Sequence, residues 1–388
     1  MRQPWLVTLV VAACNSNAAA PPSGGGASPA PSPVAGPAVK DAGTTATVDA
    51  HSSTLAGAEI YATLCSPCHG KDLKGYAADH APSLITETFL ASATDEYLKK
   101  SITTGRPGTS MAAYSKVLGG PLDDAAIERL VAFIRTGRTP TKELPAFTKG
   151  DATKGKAVYD QNCASCHGDQ QKRGEAIHLA NYSFLQQASD QFIAYAVANG
   201  RPGTKMAPYG SLLSDEQIRD VVAYVRSYQT GATDVGQLPA PTGKEPLVIN
   251  PKGKEPAWKV RDDRFVAVDD ALKAYKAGQK MIIIDARPPS EWMRAHIKGA
   301  VSIPYHDTAR LAEIPKDTWV LAYCACPHHL SGIVVDELRN RGHVKSAVLD
   351  EGINDWHRKG YPMVTAPGVK PPTAEPAPAG GGHHGHAH

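Results

Sequence analysis

The run Cys65-Ser66-Pro67-Cys68-His69 returns as Cys163-Ala164-Ser165-Cys166-His167. No other feature limits so strongly what this chain can fold into. Two thiols three positions apart, with an imidazole on the next residue, are the elements of covalent c-type haem attachment. The thiols become thioethers on the edge of the macrocycle, and the histidine offers its ring to the iron. Cofactor, attachment and proximal ligand are thus named by one short run. A lone Cys-x-x-Cys also serves as a redox pair or as half of a zinc site. Two copies, each followed by histidine and set in matching surroundings, argue for haem. The attachment candidates are Cys65, Cys68, Cys163 and Cys166, and the proximal candidates are His69 and His167.

The surroundings match on both sides. Gly57-Ala58-Glu59-Ile60-Tyr61 precedes the first motif, and Gly155-Lys156-Ala157-Val158-Tyr159 precedes the second. Downstream, Gly105-Arg106-Pro107-Gly108-Thr109-Ser110-Met111-Ala112-Ala113-Tyr114 pairs with Gly200-Arg201-Pro202-Gly203-Thr204-Lys205-Met206-Ala207-Pro208-Tyr209. Ile127, Leu130, Val131 and Ile134 pair with Ile218, Val221, Val222 and Val225. Their i, i+3, i+4, i+7 spacing predicts an amphipathic helix in each copy. Asp123 and Ser214 are N-cap candidates, and Gln217 completes a capping box with Ser214. The offset between copies falls from 98 at the haem motif to 95 at the methionine block and 91 at the last helix. Deletions therefore lie between the matched blocks, where loops tolerate them.

Each copy resembles a class I cytochrome c domain, over residues 52–138 and 149–230. The resemblance implies an all-α unit: a first helix, the haem motif, a loop, a methionine, and a last helix packed back on the first. It implies two covalently attached haem c groups, with Met111 and Met206 as sixth ligands. A thioether ligand stabilises ferrous iron and raises its potential. The alternative for each methionine is core packing. His80 and His178 are the rival imidazoles, and the alternative for both is an exposed loop. Iron held by histidine and methionine has no open position, so the pair implies electron passage between redox partner proteins rather than small-molecule binding at iron.

Around this repeat the composition changes. Residues 6–13 are an apolar run too short to span a bilayer and fit a secretory signal over 1–13. Val11-Ala12-Ala13-Cys14 resembles a bacterial lipobox, which implies lipidation of Cys14; the alternative is an ordinary signal with an incidental cysteine. Residues 14–51 hold Ala, Pro, Gly, Ser and Thr with almost no large apolar side chain, and are expected to form a disordered tether. The expected location is periplasmic with a lipid anchor as the only membrane attachment, or else soluble periplasmic or secreted. A net charge of +3 and a pI near 8.3 are too mild to argue for nucleic acid. The 7 cysteines split between the two motifs, Cys324 with Cys326, and Cys14, which is no disulfide framework.

Residues 231–257 read as a linker, and an α/β pattern follows. Residues 281–285 form an apolar run of the buried parallel-strand type. Further strands are expected at 301–303, 319–323 and 347–349, and helices at 269–277 and 331–341, the last stopping at Gly342. Strand, loop, helix, strand order predicts a parallel sheet.

Asp285-Ala286-Arg287, Glu291-Trp292, His296, Gly299-Ala300, Tyr323-Cys324, Leu349-Asp350-Glu351-Gly352 and Asp355-Trp356 together resemble a rhodanese-like sulfurtransferase domain, over 258–366. The resemblance implies that Cys324, at a strand end before a helix, takes sulfane sulfur as a persulfide. Loop amides and the helix N-terminus there favour the thiolate. The loop Cys324-Ala325-Cys326-Pro327-His328-His329-Leu330-Ser331 departs from the family's Cys-x-x-Gly-x-Arg-Ser. Pro327 lacks an N–H, and His328 or His329 has to supply the positive charge that the family takes from arginine. Cys326 could resolve a persulfide on Cys324 or shield it from over-oxidation; the alternative is a structural thiol. Arg287 reads as a brace and His296 as packing. The tail, 367–388, ends in a histidine cluster that suits adventitious metal.

The expectation is a multidomain electron-transfer protein, with two all-α cytochrome c domains followed by one α/β rhodanese-like domain. It moves electrons to and from unnamed redox partners and handles a small sulfur-compound donor through Cys324. The alternatives are a respiratory carrier whose third domain is an inert docking module, and a sulfurtransferase whose haems sense redox state.

Overall fold

The computed structural model describes residues 56–76, 81–229, 235–325 and 328–372. The expectations for the signal, Cys14, the tether, His80, Cys326, Pro327 and the histidine-rich tail lie outside the described residues.

The first repeat opens with α1 (Gly57–Ile60), which passes through a π turn at Tyr61–Cys65 into α2 (Ser66–His69). It continues with α3 (Glu87–Ser92), α4 (Asp95–Thr104) and α5 (Asp124–Arg135). The second repeat has α6 (Ala152–Asn162), α7 (Ala164–His167), α8 (Tyr182–Gln187), α9 (Asp190–Asn199) and α10 (Asp215–Ser227). The caps stand where the sequence puts them. Asp123 accepts from the Ala126 amide, and Ser214 and Gln217 close a capping box. The periodic residues of both last helices are buried.

Helix crossing in each repeat depends on one glycine. A Cβ on Gly57 would stand 2.1 Å from the Arg129 carbonyl oxygen, and one on Gly155 would stand 1.9 Å from that of Asp220. Neither distance is possible, so the first and last helices touch backbone to backbone. At the far end of the last helix an arginine closes the same fold twice. Arg135 donates to Asp95 and to the carbonyls of Leu90 and Ala93; Arg226 donates to Asp190 and to those of Leu185 and Ala188.

The two repeats join reciprocally, α3 against α9 and α4 against α8. Tyr97 stacks on Phe192 with ring centroids 4.7 Å apart, and Phe89 meets Phe192 edge-on. Arg201 lies over Phe192, Thr88 donates to the Gly200 carbonyl at 2.7 Å, and Arg106 reaches Gln187.

Residues 235–257 run along the third domain. The Leu238 amide donates to the Met293 carbonyl, and Ile249 bridges to Met281. The domain itself comprises β1 (Phe265–Val266), α11 (Val268–Lys276), β2 (Ile282–Asp285), α12 (Pro289–Trp292), β3 (Ala295–Ile297), β4 (Val301–Ser302), β5 (Val320–Tyr323), α13 (His329–Asn340), β6 (Ser346–Leu349), α14 (Gly352–Arg358) and β7 (Met363–Thr365). Five strands form a parallel sheet in the order β1-β6-β5-β2-β4, while β3 and β7 pair antiparallel beside it. Every residue of β2, β5 and β6 is buried, as a sheet covered on both faces requires. No helix of the described residues is long and apolar enough to cross a membrane.

Candidate functional site

Both haem motifs take one geometry. His69 Nδ1 lies 3.0 Å from the Pro82 carbonyl oxygen, and His167 Nδ1 lies 2.9 Å from that of Ile177. A carbonyl only accepts, so each Nδ1 is the donating nitrogen and the lone pair sits on Nε2. A backbone carbonyl commonly fixes the orientation and tautomer of a ligating imidazole in this way. Both rings are buried, at 8% and 9% exposure, and burial holds the His167 imidazole below its ordinary pKa. Burial also pushes the Cys65 thiol up to about 12 and that of Cys163 up to about 11. Thiols held neutral by burial suit conversion to neutral thioethers. Among the described residues, no group of three or more metal-ligating side chains gathers anywhere. The residues present therefore fit haem c.

Tyrosines brace each motif from both ends. Tyr61 donates to the Gly70 carbonyl and Tyr159 to that of Gly168. Tyr114 donates to the Leu64 carbonyl and Tyr209 to that of Asn162, the residue before the first cysteine in each copy. The methionine loops are equally alike. The Arg106 amide donates to the Met111 carbonyl at 2.7 Å, and the Arg201 amide to that of Met206 at 2.8 Å. The Thr109 and Thr204 hydroxyls each accept from the methionine amide at 3.1 Å. Both methionines are half-buried, and Met111 packs on the core of its repeat. His178, the rival in the second repeat, is bonded through Nε2 to the Asp169 carbonyl.

In the third domain Cys324 follows β5 directly and is fully buried, with Sγ 3.3 Å from the Ser331 hydroxyl in the first turn of α13. That helix starts two residues earlier than the sequence pattern suggests, so His329 is its first residue and His328 its N-cap. His328 Nε2 lies 3.0 Å from Asp350 Oδ1, and Arg261 donates twice to the same carboxylate. Burial alone raises the Asp350 pKa, but these two partners outweigh it and hold the carboxyl below its ordinary value. Arg287 braces the sheet end through Asp285 at 2.7 Å and Glu291 at 3.3 Å, and its guanidinium lies over the Tyr323 ring. His296 stacks on Trp292, with centroids 3.6 Å apart. Both residues have the bracing and packing places expected of them.

The cysteine loop is seated on the first haem motif. His329 Nδ1 bonds the carbonyl of Pro67, which lies between Cys65 and Cys68, and the His329 ring meets Tyr76 edge-on. Ser110, the neighbour of Met111, donates to the carbonyl of Ala325, the neighbour of Cys324, at 3.0 Å. Tyr305 donates to the Leu64 carbonyl at 2.7 Å and pairs with the Tyr114 hydroxyl. Ser290 donates to the Ala113 carbonyl at 2.6 Å. The sequence alone did not single out Tyr305, Ser110, Ser290 or the paired arginines. Of these, only Arg135 and Arg226 carried a signal, as matching positions of the repeat.

The family described as "Cytochrome C oxidase, cbb3-type, subunit III" matches residues 52–134 and 150–225, and "Rhodanese-like domain" matches 268–359. The chain is 29% identical over 185 residues to the cbb3-type cytochrome c oxidase subunit CcoP of Azospirillum sp. (strain B510), covering 43% of this chain and 59% of that protein. It is 29% identical over 222 residues to the cytochrome bc1 complex cytochrome c subunit of Mycobacterium tuberculosis (strain ATCC 25618 / H37Rv), covering 53% and 76% respectively. Among solved structures it is similar to a reducing HAO-like protein complex of Kuenenia stuttgartiensis, at 19% identity and a TM-score of 0.31, covering 45% of this chain and 96% of that one. The matched region thus spans about three-fifths of the CcoP relative's length. The chain therefore joins cytochrome c domains of the cbb3 subunit III type, in two segments, to a C-terminal rhodanese-like domain, and covalently bound haem c is the cofactor those domains imply.

Proposed function

We propose that this protein is a dihaem electron carrier on the exported side of a membrane, held there by a lipid on Cys14 and reduced by sulfur chemistry at Cys324. Cys65 and Cys68 would hold one haem and Cys163 and Cys166 the other, with His69, His167, Met111 and Met206 as the side chains that would ligate iron. Haem c bound in this way supplies acceptance of one electron per iron, at a potential raised by the thioether.

The Cys324 thiolate attacks the outer sulfur of an anionic sulfane donor such as thiosulfate. An S–S bond forms on Cys324, the donor's S–S bond breaks, and sulfite leaves with the electron pair. Joining that terminal sulfur to a second thiolate anion forms another S–S bond and releases two electrons, the number that two one-electron acceptors can hold.

The observation that carries this reading is the seating of the Cys324 loop on the Cys65–His69 motif, through Pro67, Ser110 and Leu64. The test is stopped-flow haem reduction after mixing with a persulfide, whose leaving group is itself a thiolate, or with thiosulfate together with a small thiol. Wild type should reduce and Cys324→Ser should not; equal rates overturn the reading.

One observation favours a second reading. Both loop histidines, the candidates for donor-anion charge, already have partners in Asp350 and Pro67. In this reading the third domain is a docking module on a respiratory carrier. Turnover in a thiosulfate-to-cyanide transfer assay that Cys324→Ser abolishes excludes it.

A further inference from the structure

The two haem motifs share their cysteines and histidine and differ in their surroundings. At the first, the third domain covers the attachment edge. At the second, the equivalent positions face outward. Pro67 accepts from His329, whereas its counterpart Ser165 is exposed, as is Cys166. The Leu64 carbonyl takes Tyr305 in addition to Tyr114, whereas that of Asn162 takes Tyr209, the counterpart of Tyr114. Ser110 is tied to Ala325, whereas its counterpart Lys205 is 90% exposed at its side chain and pairs with Glu175. Ala112 is 2% exposed, and its counterpart Ala207 is exposed. Between the repeats lies the aromatic contact of Phe89, Tyr97 and Phe192, so the first repeat stands between the third domain and the second repeat.

We propose that the third domain assigns the two motifs different jobs. The Cys65–His69 edge is the internal port, covered by Ala325 and His329 of the Cys324 loop. The Cys163–His167 edge is the external port, where an outside one-electron redox protein docks. Electrons from the internal donor enter at the first repeat, cross the aromatic contact, and leave at the second. The same surface patch cannot serve both purposes on one repeat, because the covered edge has no room for a second protein.

The proposal rests on the functional reading only in naming Cys324 as the internal donor, and its test avoids sulfur chemistry. Holo-protein reduced with dithionite is oxidised by hexacyanoferrate(III), an anionic outer-sphere probe. Lys172→Glu with Lys205→Glu places negative charge at the open edge and should slow oxidation about five-fold at low salt, an effect lost at high salt. Lys71→Glu with Lys74→Glu, which are exposed on the first repeat, should change it by less than about two-fold, because the third domain shields that repeat's attachment edge. Equal slowing by both pairs, or greater slowing by the second, overturns the proposal. Amide hydrogen exchange of the same holo-protein gives a readout independent of electron flow. Residues 62–69 should exchange more slowly than 160–167, and Tyr305→Phe with Ser110→Ala should raise exchange at 62–69 by about ten-fold while leaving 160–167 unchanged. Equal exchange of the two segments in wild type overturns it. If Cys324→Ser leaves sulfur-driven reduction intact while these outcomes hold, the sulfur reading fails and the port assignment stands.

Discussion

Single side chains decide how the third domain tolerates acid and mutation. Arg287 lies between two buried carboxylates, Asp285 and Glu291. Arg287→Ala leaves both uncompensated, and removal of one partner from a buried pair costs about 3–5 kcal/mol. The third domain should therefore unfold at markedly lower urea. Arg287→Lys should recover little of this, because an ammonium cannot reproduce the fork that reaches Asp285 and the Ala295 carbonyl together. Unchanged urea midpoints refute the assignment. His306 works differently. It is buried with no hydrogen-bond partner among the described residues at either ring nitrogen, and burial lowers its pKa from 6.5 to about 4. Between those values the unfolded chain binds the extra proton, so stability is complete above pH 6.5 and falls as pH drops towards 4. The loss is about 3 kcal/mol. His306→Leu should flatten the urea midpoint over that window, and a slope equal to that of wild type counts against it. Arg287 was legible because a charge directly after an apolar strand needs a partner. The isolation of His306 was not, because a histidine's partners are set by residues remote in sequence.

At the level of helices and strands, the two glycine crossings separate a steric cost from a conformational one. Gly155→Ala puts a methyl 1.9 Å from the Asp220 carbonyl and must push α6 off α10. Backbone cannot yield as a flexible side chain can, so the cost should reach about 3 kcal/mol or more. Gly203→Ala meets nothing within 4 Å and pays only for its left-handed backbone at φ 82. That strain is about 1 kcal/mol. Chemical denaturation of the two variants should rank them in this order, and the reverse order overturns the argument. The long helices and the buried strands β2, β5 and β6 were legible, since periodicity and continuous apolar runs report burial. β1, β3 and β7 are two or three residues long, too short for a period to register. The start of α13 was misplaced because His328 and His329 carry no apolar signal, yet His329 is the helical residue that touches the first haem motif.

Across the whole molecule, the polar contacts between the third domain and the first repeat are mainly hydroxyl and imidazole bonds to carbonyls, with no ion pair among those described. It should accordingly hold at high salt. Tyr305→Phe with Ser290→Ala removes two of these bonds without removing bulk, and should separate the calorimetric transitions of the first repeat and the third domain. A single unchanged transition shows that apolar packing alone carries the joint. The sequence by itself determined the cofactor, the repeat and the two domain classes, because attachment chemistry and buried periodicity are local and each needs only neighbouring residues. Only the tertiary structure decided that the third domain covers the first motif and leaves the second open. That choice is made by Tyr305, Ser110, Ser290 and His329, whose partners lie some two hundred residues away along the chain. The two copies of Cys-x-x-Cys-His share their attachment residues and their carbonyl-held histidine, and the surface each is given sets them apart.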